Sequence, residues 1–294
     1  MAVDARAGLI VALVLAIGCA HDARELGEAA LARGDDREAT RQFERALDRG
    51  ADDAMLWRDL ARARQRGGDL EGAHAAIVEA ARRSPSDPSI VLVRAQVRFA
   101  RDDREGAASD AKWLLGRLDD AGDLERLAVL FVRLGSADLA LAAARRAIDR
   151  SGDSADAYGN FAVLAVELRR FDDAGKALRE GRARHPRDVD LRETEAAFLL
   201  SRGDLAKARA AYRDLLPLHA RPGLVHLALA LIEHELGDHE AALGDARAAV
   251  ELEGKDRADV HYTLAVILIQ LGRDDEARRT VNRSVRRFPD HEGL

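Results

Sequence analysis

Cysteine occurs once in the 294 residues, methionine and tryptophan twice each, and aromatic residues make up 4% of the chain. A single cysteine builds no disulfide framework and no CxxC pair, so cysteine usage by itself assigns no compartment. So few aromatics leave few platforms on which nucleic-acid bases could stack. A net charge of −6 argues in addition against a general phosphate-binding surface, and no nucleic-acid partner is expected. Glycine and proline do not gather into a linker, and no low-complexity segment is present. No stretch alternates apolar and polar residues as a half-buried strand would. Catalytic signatures are missing too: there is no GxSxG elbow and no phosphate-cradling glycine loop. His234 and His239 stand five apart with Gly237 between them, which does not put two zinc ligands on one helical face. The carboxylate pairs Asp35-Asp36, Asp102-Asp103 and Asp172-Asp173 read as helix starts, where side-chain oxygens cap free amides. No catalytic residue, metal, cofactor or small-molecule substrate is expected, and the chain reads as non-enzymatic.

What the chain has is a repeat. From Ala54 to Asp87 it runs helix, Gly68 turn, second helix and a Pro85 stop. Trp57, Leu60 and Ala61 share one face of the first helix, and Ala73, Ile77, Ala80 and Ala81 form a stripe on the second. Ala73 recurs at a period of 34 residues, give or take one, as Ala39, Ala107, Ala140, Ala174, Ala208, Ala242 and Ala277. Alanine is common enough that this alone decides little. Glycine numbers only 23, yet it fills the turn five residues earlier in six of eight units: Gly34, Gly68, Gly135, Gly203, Gly237 and Gly272. Asp102 and Arg169 fill the other two. Twelve residues before each marker stands a small residue (Gly27, Ala61, Ala95, Ala128, Ala162, Ala196, Ala230 or Ala265), which lets two helices approach closely. Pro85, Pro186 and Pro289 recur where second helices end. A period of this size implies an array of helical hairpins that bury one another's apolar sides.

The pattern resembles the tetratricopeptide repeat: aromatic, Leu and small residue in the first helix, Ala-based second helix, closing Pro. The second unit carries it best through Trp57, Leu60, Ala61, Ala73, Ala80 and Pro85, followed by the fifth through Tyr158, Phe161, Ala162, Ala174 and Pro186. Leu114 and Leu215 replace an expected alanine in the third and sixth units. The resemblance implies an all-α, right-handed α-solenoid of about eight repeats. Their approximate spans are 20–53, 54–87, 88–120, 121–154, 155–188, 189–222, 223–257 and 258–291, with 292–294 as a tail. No separate catalytic domain is left over.

Residues 1–18 carry a charged start and an apolar run from Leu9 to Ile17, far short of the roughly 20 residues that span a bilayer. That is the form of a secretory signal. The ending Leu15-Ala16-Ile17-Gly18-Cys19 resembles a bacterial lipobox, which implies cleavage before Cys19 and a diacylglycerol on its thiol. Arg6 is the only basic side chain ahead of it, Asp4 offsets that charge, and Ala16 stands where leucine is commoner; the alternative is that Cys19 is an ordinary buried residue. With Ala20 next, the resemblance implies an outer-membrane lipoprotein facing the periplasm. Multiple acyl chains would anchor it stably.

In the family, first helices line a concave groove. Carried onto this sequence, the groove positions are Arg58, Arg62 and Arg66, then Leu92, Gln96 and Phe99, then Val129 and Val132. Beyond these come Val163, Val166 and Glu167, then Glu193, Ala197 and Leu200. The last two units give Leu224, Leu227, Leu231 and His234, followed by Tyr262, Val266 and Ile269. An arginine ladder leading into a long apolar lining implies a protein or peptide partner, apolar along its length and acidic at one end. The alternatives are that these side chains pack between helices and that the arginines are merely solvated. In the last unit Arg278, Arg279, Arg283, Arg286 and Arg287 serve either as a polar cap on the array or as a docking face. Ala249, Val250 and Leu252 are expected to be covered by that unit. The resulting expectation is a lipid-anchored scaffold in the bacterial envelope, assembling an envelope, pilus or secretion complex. The alternatives are a periplasmic accessory for cell-wall or polysaccharide synthesis or export, and a soluble cytoplasmic adaptor.

Overall fold

The fold is taken from a computed structural model that describes residues 22–254 and 257–288. Cys19 and the signal-like segment before it lie outside the described residues, as does Pro289. Sixteen helices form among the described residues, and no strand does. The solenoid of helical hairpins expected from the repeat is therefore present, in two compact units, residues 1–152 and 153–294.

The first unit holds α1 (residues 22–33), α2 (Asp36–Asp48), α3 (Ala54–Arg66), α4 (Leu70–Arg83), α5 (Pro88–Ala100), α6 (Arg104–Leu114), α7 (Ala121–Arg133) and α8 (Ala137–Arg150). The second holds α9 (Ala155–Glu167), α10 (Phe171–Arg184), α11 (Val189–Ser201), α12 (Leu205–Leu215), α13 (Pro222–Glu235), α14 (His239–Glu253), α15 (Ala258–Gln270) and α16 (Asp274–Arg287). Within each unit consecutive helices pack as antiparallel hairpins. Neighbouring odd helices also touch, as α3 does α5, α5 does α7, α9 does α11 and α13 does α15. Among the described residues no two even helices pack comparably. The odd helices thus form the inner layer of each unit and the even helices the outer one.

The turns show why glycine marks them. Gly34, Gly68, Gly135, Gly203, Gly237 and Gly272 all adopt positive φ, between 67° and 87°. This left-handed residue lets the next amide reach back to the helix, as Asp35 N does to the Ala30 carbonyl at 3.0 Å. The next helix is then started by a carboxylate: Asp35 accepts from Glu38 N at 3.0 Å, Asp69 from Gly72 N at 2.9 Å and Asp103 from Gly106 N at 2.9 Å. At the third expected pair the arrangement differs. Arg170 precedes α10, and Asp172 and Asp173 lie inside its first turn.

The repeat markers are the core. Seven of the eight marker alanines, from Ala39 to Ala242, are fully buried, and Ala277 is 3% exposed. The small residues twelve positions earlier lie opposite them. Gly27 has a specific reason to be the smallest: a Cβ there would sit 2.5 Å from Phe43 Cε1 of α2. Where leucine replaced alanine, Leu114 and Leu215 are buried as the last residues of α6 and α12. Each of these helices has 11 residues against 13 to 15 in the other outer helices. A larger side chain at the crossing is thus accommodated by ending the helix about a turn early.

Candidate functional site

The expected groove positions fall on the inner, odd-numbered helices and divide into solvent-facing and packed residues. Val129 on α7 is 54% exposed, Val163 on α9 51%, Leu231 on α13 46%, and Tyr262 and Ile269 on α15 51% and 56%. These are large apolar side chains that folding leaves in water, on the layer where the helices crowd together. Gln96, Phe99, Val132, Val166, Leu200, Leu224, Leu227, His234 and Val266 are half-buried beside them, whereas Glu167 and Ala197 are exposed. Leu92 departs from expectation: it is 1% exposed and offers no surface. The reason is that α5 is touched by α3 on one side and α7 on the other, so its inner stripe is sealed from both flanks. Phe99, at the end of the same helix, is covered by the guanidinium groups of Arg133 and Arg104, 4.4 and 5.3 Å from its ring centre.

The arginine ladder on α3 is tied at both ends. Arg58 donates to Asp59 and to Ser89 Oγ, each at 2.9 Å, and Arg66 pairs with Asp36 at 2.9 Å. Asp59 is itself 4% exposed, and burial raises its pKa against the opposing pull of Arg58. The middle rung differs. Arg62 is half-buried and has no hydrogen-bond or ion-pair partner among the described residues. Burial, and then the positive charge of Arg126, depress its pKa. The carboxylates of Asp59 and Asp123 act on Arg62 in the opposite sense without hydrogen-bonding to it, so its guanidinium donors remain open to an anion.

In the second unit a cleft of about 610 Å³ opens between α9 and α11. Its floor is Ala162, Val163, Val166, Ala197 and Phe198, and its charged lining is Glu167, Asp190 and Glu193. At the far end of the unit Arg278, Arg279, Arg283, Arg286 and Arg287 all face solvent. Ala249 is fully buried and Val250 packs against the cluster of α15 and α16, but Leu252, also expected to be covered, is 52% exposed. His234 and His239 stack with ring centres 5.1 Å apart, and no metal-binding group of His, Cys, Asp or Glu occurs among the described residues.

One feature of the second unit escaped the sequence. Glu233 on α13 is fully buried, with Oε1 2.5 Å from Arg213 Nη2 of α12. Its other oxygen, Oε2, is buried with no hydrogen-bond partner among the described residues, near Asp245 of α14, which in turn meets His226 Nδ1 at 2.6 Å. Desolvation, followed by Asp245, raises the Glu233 pKa against the pull of Arg213. The only hint in the sequence is a carboxylate closing the apolar run from Leu227 to Ile232.

Comparison with known proteins accounts for the hairpins. A tetratricopeptide repeat profile matches residues 24–88, 125–180 and 160–224, and a second of the same description matches 233–293. The chain belongs to the tetratricopeptide repeat (TPR) family. Among solved TPR structures it is similar to the C-terminal part of a TPR repeat-containing protein from Cytophaga hutchinsonii, with TM-score 0.59, 16% identity, and 80% of this chain and 98% of that one covered. A TPR protein from Parabacteroides merdae gives TM-score 0.50 at 18% identity, covering 85% and 99%. Yeast Tom70 gives TM-score 0.51 at 18% identity, covering 85% and 56%. At such identities the likeness speaks to fold alone. In sequence, this TPR chain is 30% identical over 203 residues to "Cellulose synthase operon protein C" of Xanthomonas axonopodis pv. citri. The match takes in 64% of this chain and 13% of the length of that relative. TPR arrays are scaffolds for protein–protein contact, and the inner layer just described exposes more large apolar side chains than the outer one, where Val78, Leu252 and Val285 are open to water.

Proposed function

We propose that this TPR chain is a non-catalytic scaffold that receives a helix or extended segment of another protein on its inner helix layer, and that a lipid on Cys19 holds it at a bacterial outer membrane, facing the periplasm. The observation that carries the docking reading is the exposure of Val129, Val163, Leu231, Tyr262 and Ile269 on the inner helices. Exposed apolar surface of this kind marks interaction sites in soluble domains. Arg62 supplies a place within the first unit for an acidic side chain of the partner. Assembly of an envelope, pilus or secretion complex is the role this arrangement serves.

Val166→Asp combined with Leu231→Asp puts charge onto this layer at a half-buried and an open position. The expected outcome is loss of partner capture in a pull-down from detergent-solubilised membranes, with far-ultraviolet circular dichroism unchanged. Capture equal to that of the unaltered chain overturns the docking reading.

A second reading is favoured by the sequence likeness to "Cellulose synthase operon protein C". On it, the scaffold is an accessory to polysaccharide or cell-wall synthesis or export, and the segment it docks belongs to an enzyme or export component of that machinery. Recovery of such a component in the same pull-down supports it.

A further inference from the structure

The α9–α11 cleft has a charge pattern of its own. Its middle is aliphatic, through Val163, Val166 and Ala197, and every charged side chain that lines it is acidic. Asp190 sits in the first turn of α11, where the positive end of a helix favours a carboxylate whatever binds nearby, and Glu193 follows one turn later. Glu167 has no such excuse. It is the last residue of α9, where the helix end is negative, and no basic residue shares that last turn. It is exposed and, like the side chain of Asp190, has no hydrogen-bond or ion-pair partner among the described residues. Arg170 pairs with Asp173 at 3.0 Å and Arg202 lies over the Phe198 ring at 6.0 Å, while the exposed Arg169 makes no hydrogen bond or ion pair with Glu167 among the described residues. His219 approaches only Glu193, at 3.2 Å. The cleft therefore has, on both sides of an apolar floor, carboxylates that no arginine or lysine among the described residues pairs with.

Resting on the docking reading above, we propose that this cleft takes a basic–aliphatic–basic peptide segment: an apolar side chain seated over Val163 and Val166, with Lys or Arg against Glu167 at one end and against Asp190 and Glu193 at the other. The stretch of α11 from Asp190 to Ser201 is roughly 17 Å long at 1.5 Å per residue, which matches about five residues of extended chain. This departs from the uniformly apolar and acidic partner the sequence implied. Acidic side chains suit the Arg62 region of the first unit, whereas the second unit selects cations.

The test is selection of a random dodecapeptide display library on the full chain held in detergent, followed by fluorescence anisotropy with the enriched peptides. Binders are expected to carry Lys or Arg on both sides of an aliphatic residue. Glu167→Arg, which places a favourable charge at a helix C-terminus and should leave folding intact, is expected to weaken them about tenfold. Val163→Asp is expected to abolish their binding. Binders without basic bias, binders indifferent to Glu167→Arg, or no enrichment overturn this inference. If unbiased binders still respond to Val163→Asp, the docking reading survives and only the charge assignment falls; indifference to both substitutions removes both.

Discussion

Arg169 and Asp102 hold φ of 57° and 65°, the geometry that glycine supplies at the corresponding turns of the other six repeats. An L-residue there costs about 1 kcal/mol, because its Cβ crowds the backbone carbonyl. Arg169→Gly is therefore expected to stabilise the second unit by about 1 kcal/mol less the entropy that glycine gives up, read as a higher urea midpoint with an unchanged slope. Both turns were legible in the sequence because the phase of the repeat persists where the glycine does not. The choice of glycine at position 27 was not, since the ring of Phe43 that forbids a Cβ comes from the facing helix. Leu92 failed for a related reason. Its helical phase is that of a groove residue, but its burial is set by α3 and α7, which no local pattern reports.

At the scale of elements, helix starts and stops were written locally, in Asp caps and positive-φ turns, and so could be read in order. The hairpin of α13 and α14 shows what could not. Its buried Glu233, paired with Arg213 and set near Asp245, depends on three helices meeting. The raised pKa of Glu233 means that the folded state holds its proton more firmly than the unfolded chain does. The stability it contributes is complete below the ordinary carboxylate pKa of about 4.3 and is lost as pH rises through the folded value. Glu233→Gln, which keeps the shape and cannot ionise, is expected to flatten this decline in urea melts taken from acid to neutral pH. An identical pH slope in the variant would mean that Glu233 titrates alike in the folded and unfolded chain, and would overturn the raised pKa.

At the scale of the molecule, the anchor proposed at the lipobox-like Cys19 has a direct test. Cys19→Ser is expected to move the chain from the membrane to the soluble fraction of a bacterial host and to remove the acyl mass from its mature N-terminus; an unchanged distribution defeats the anchor. The molecule-wide periodicity was the most readable property of all, because each hairpin is too small to shelter its own apolar side and must repeat the same small residues to meet its neighbour. The repeat phase placed Glu167 and Glu193 on the inner helices, whereas Asp190 and the meeting of all three around one cleft were not readable, because the cleft joins residues from two repeats. The layering of the helices has a mechanical result. Within each unit successive hairpins are joined in two ways, by odd helices that touch, as α3 and α5 do, and by each even helix against the odd helix after it, as α4 meets α5 and α14 meets α15. On the docking reading proposed above, a guest on the inner layer would meet a surface braced from behind, because any change of curvature within a unit must loosen the outer helices from the inner ones as well as the inner ones from each other.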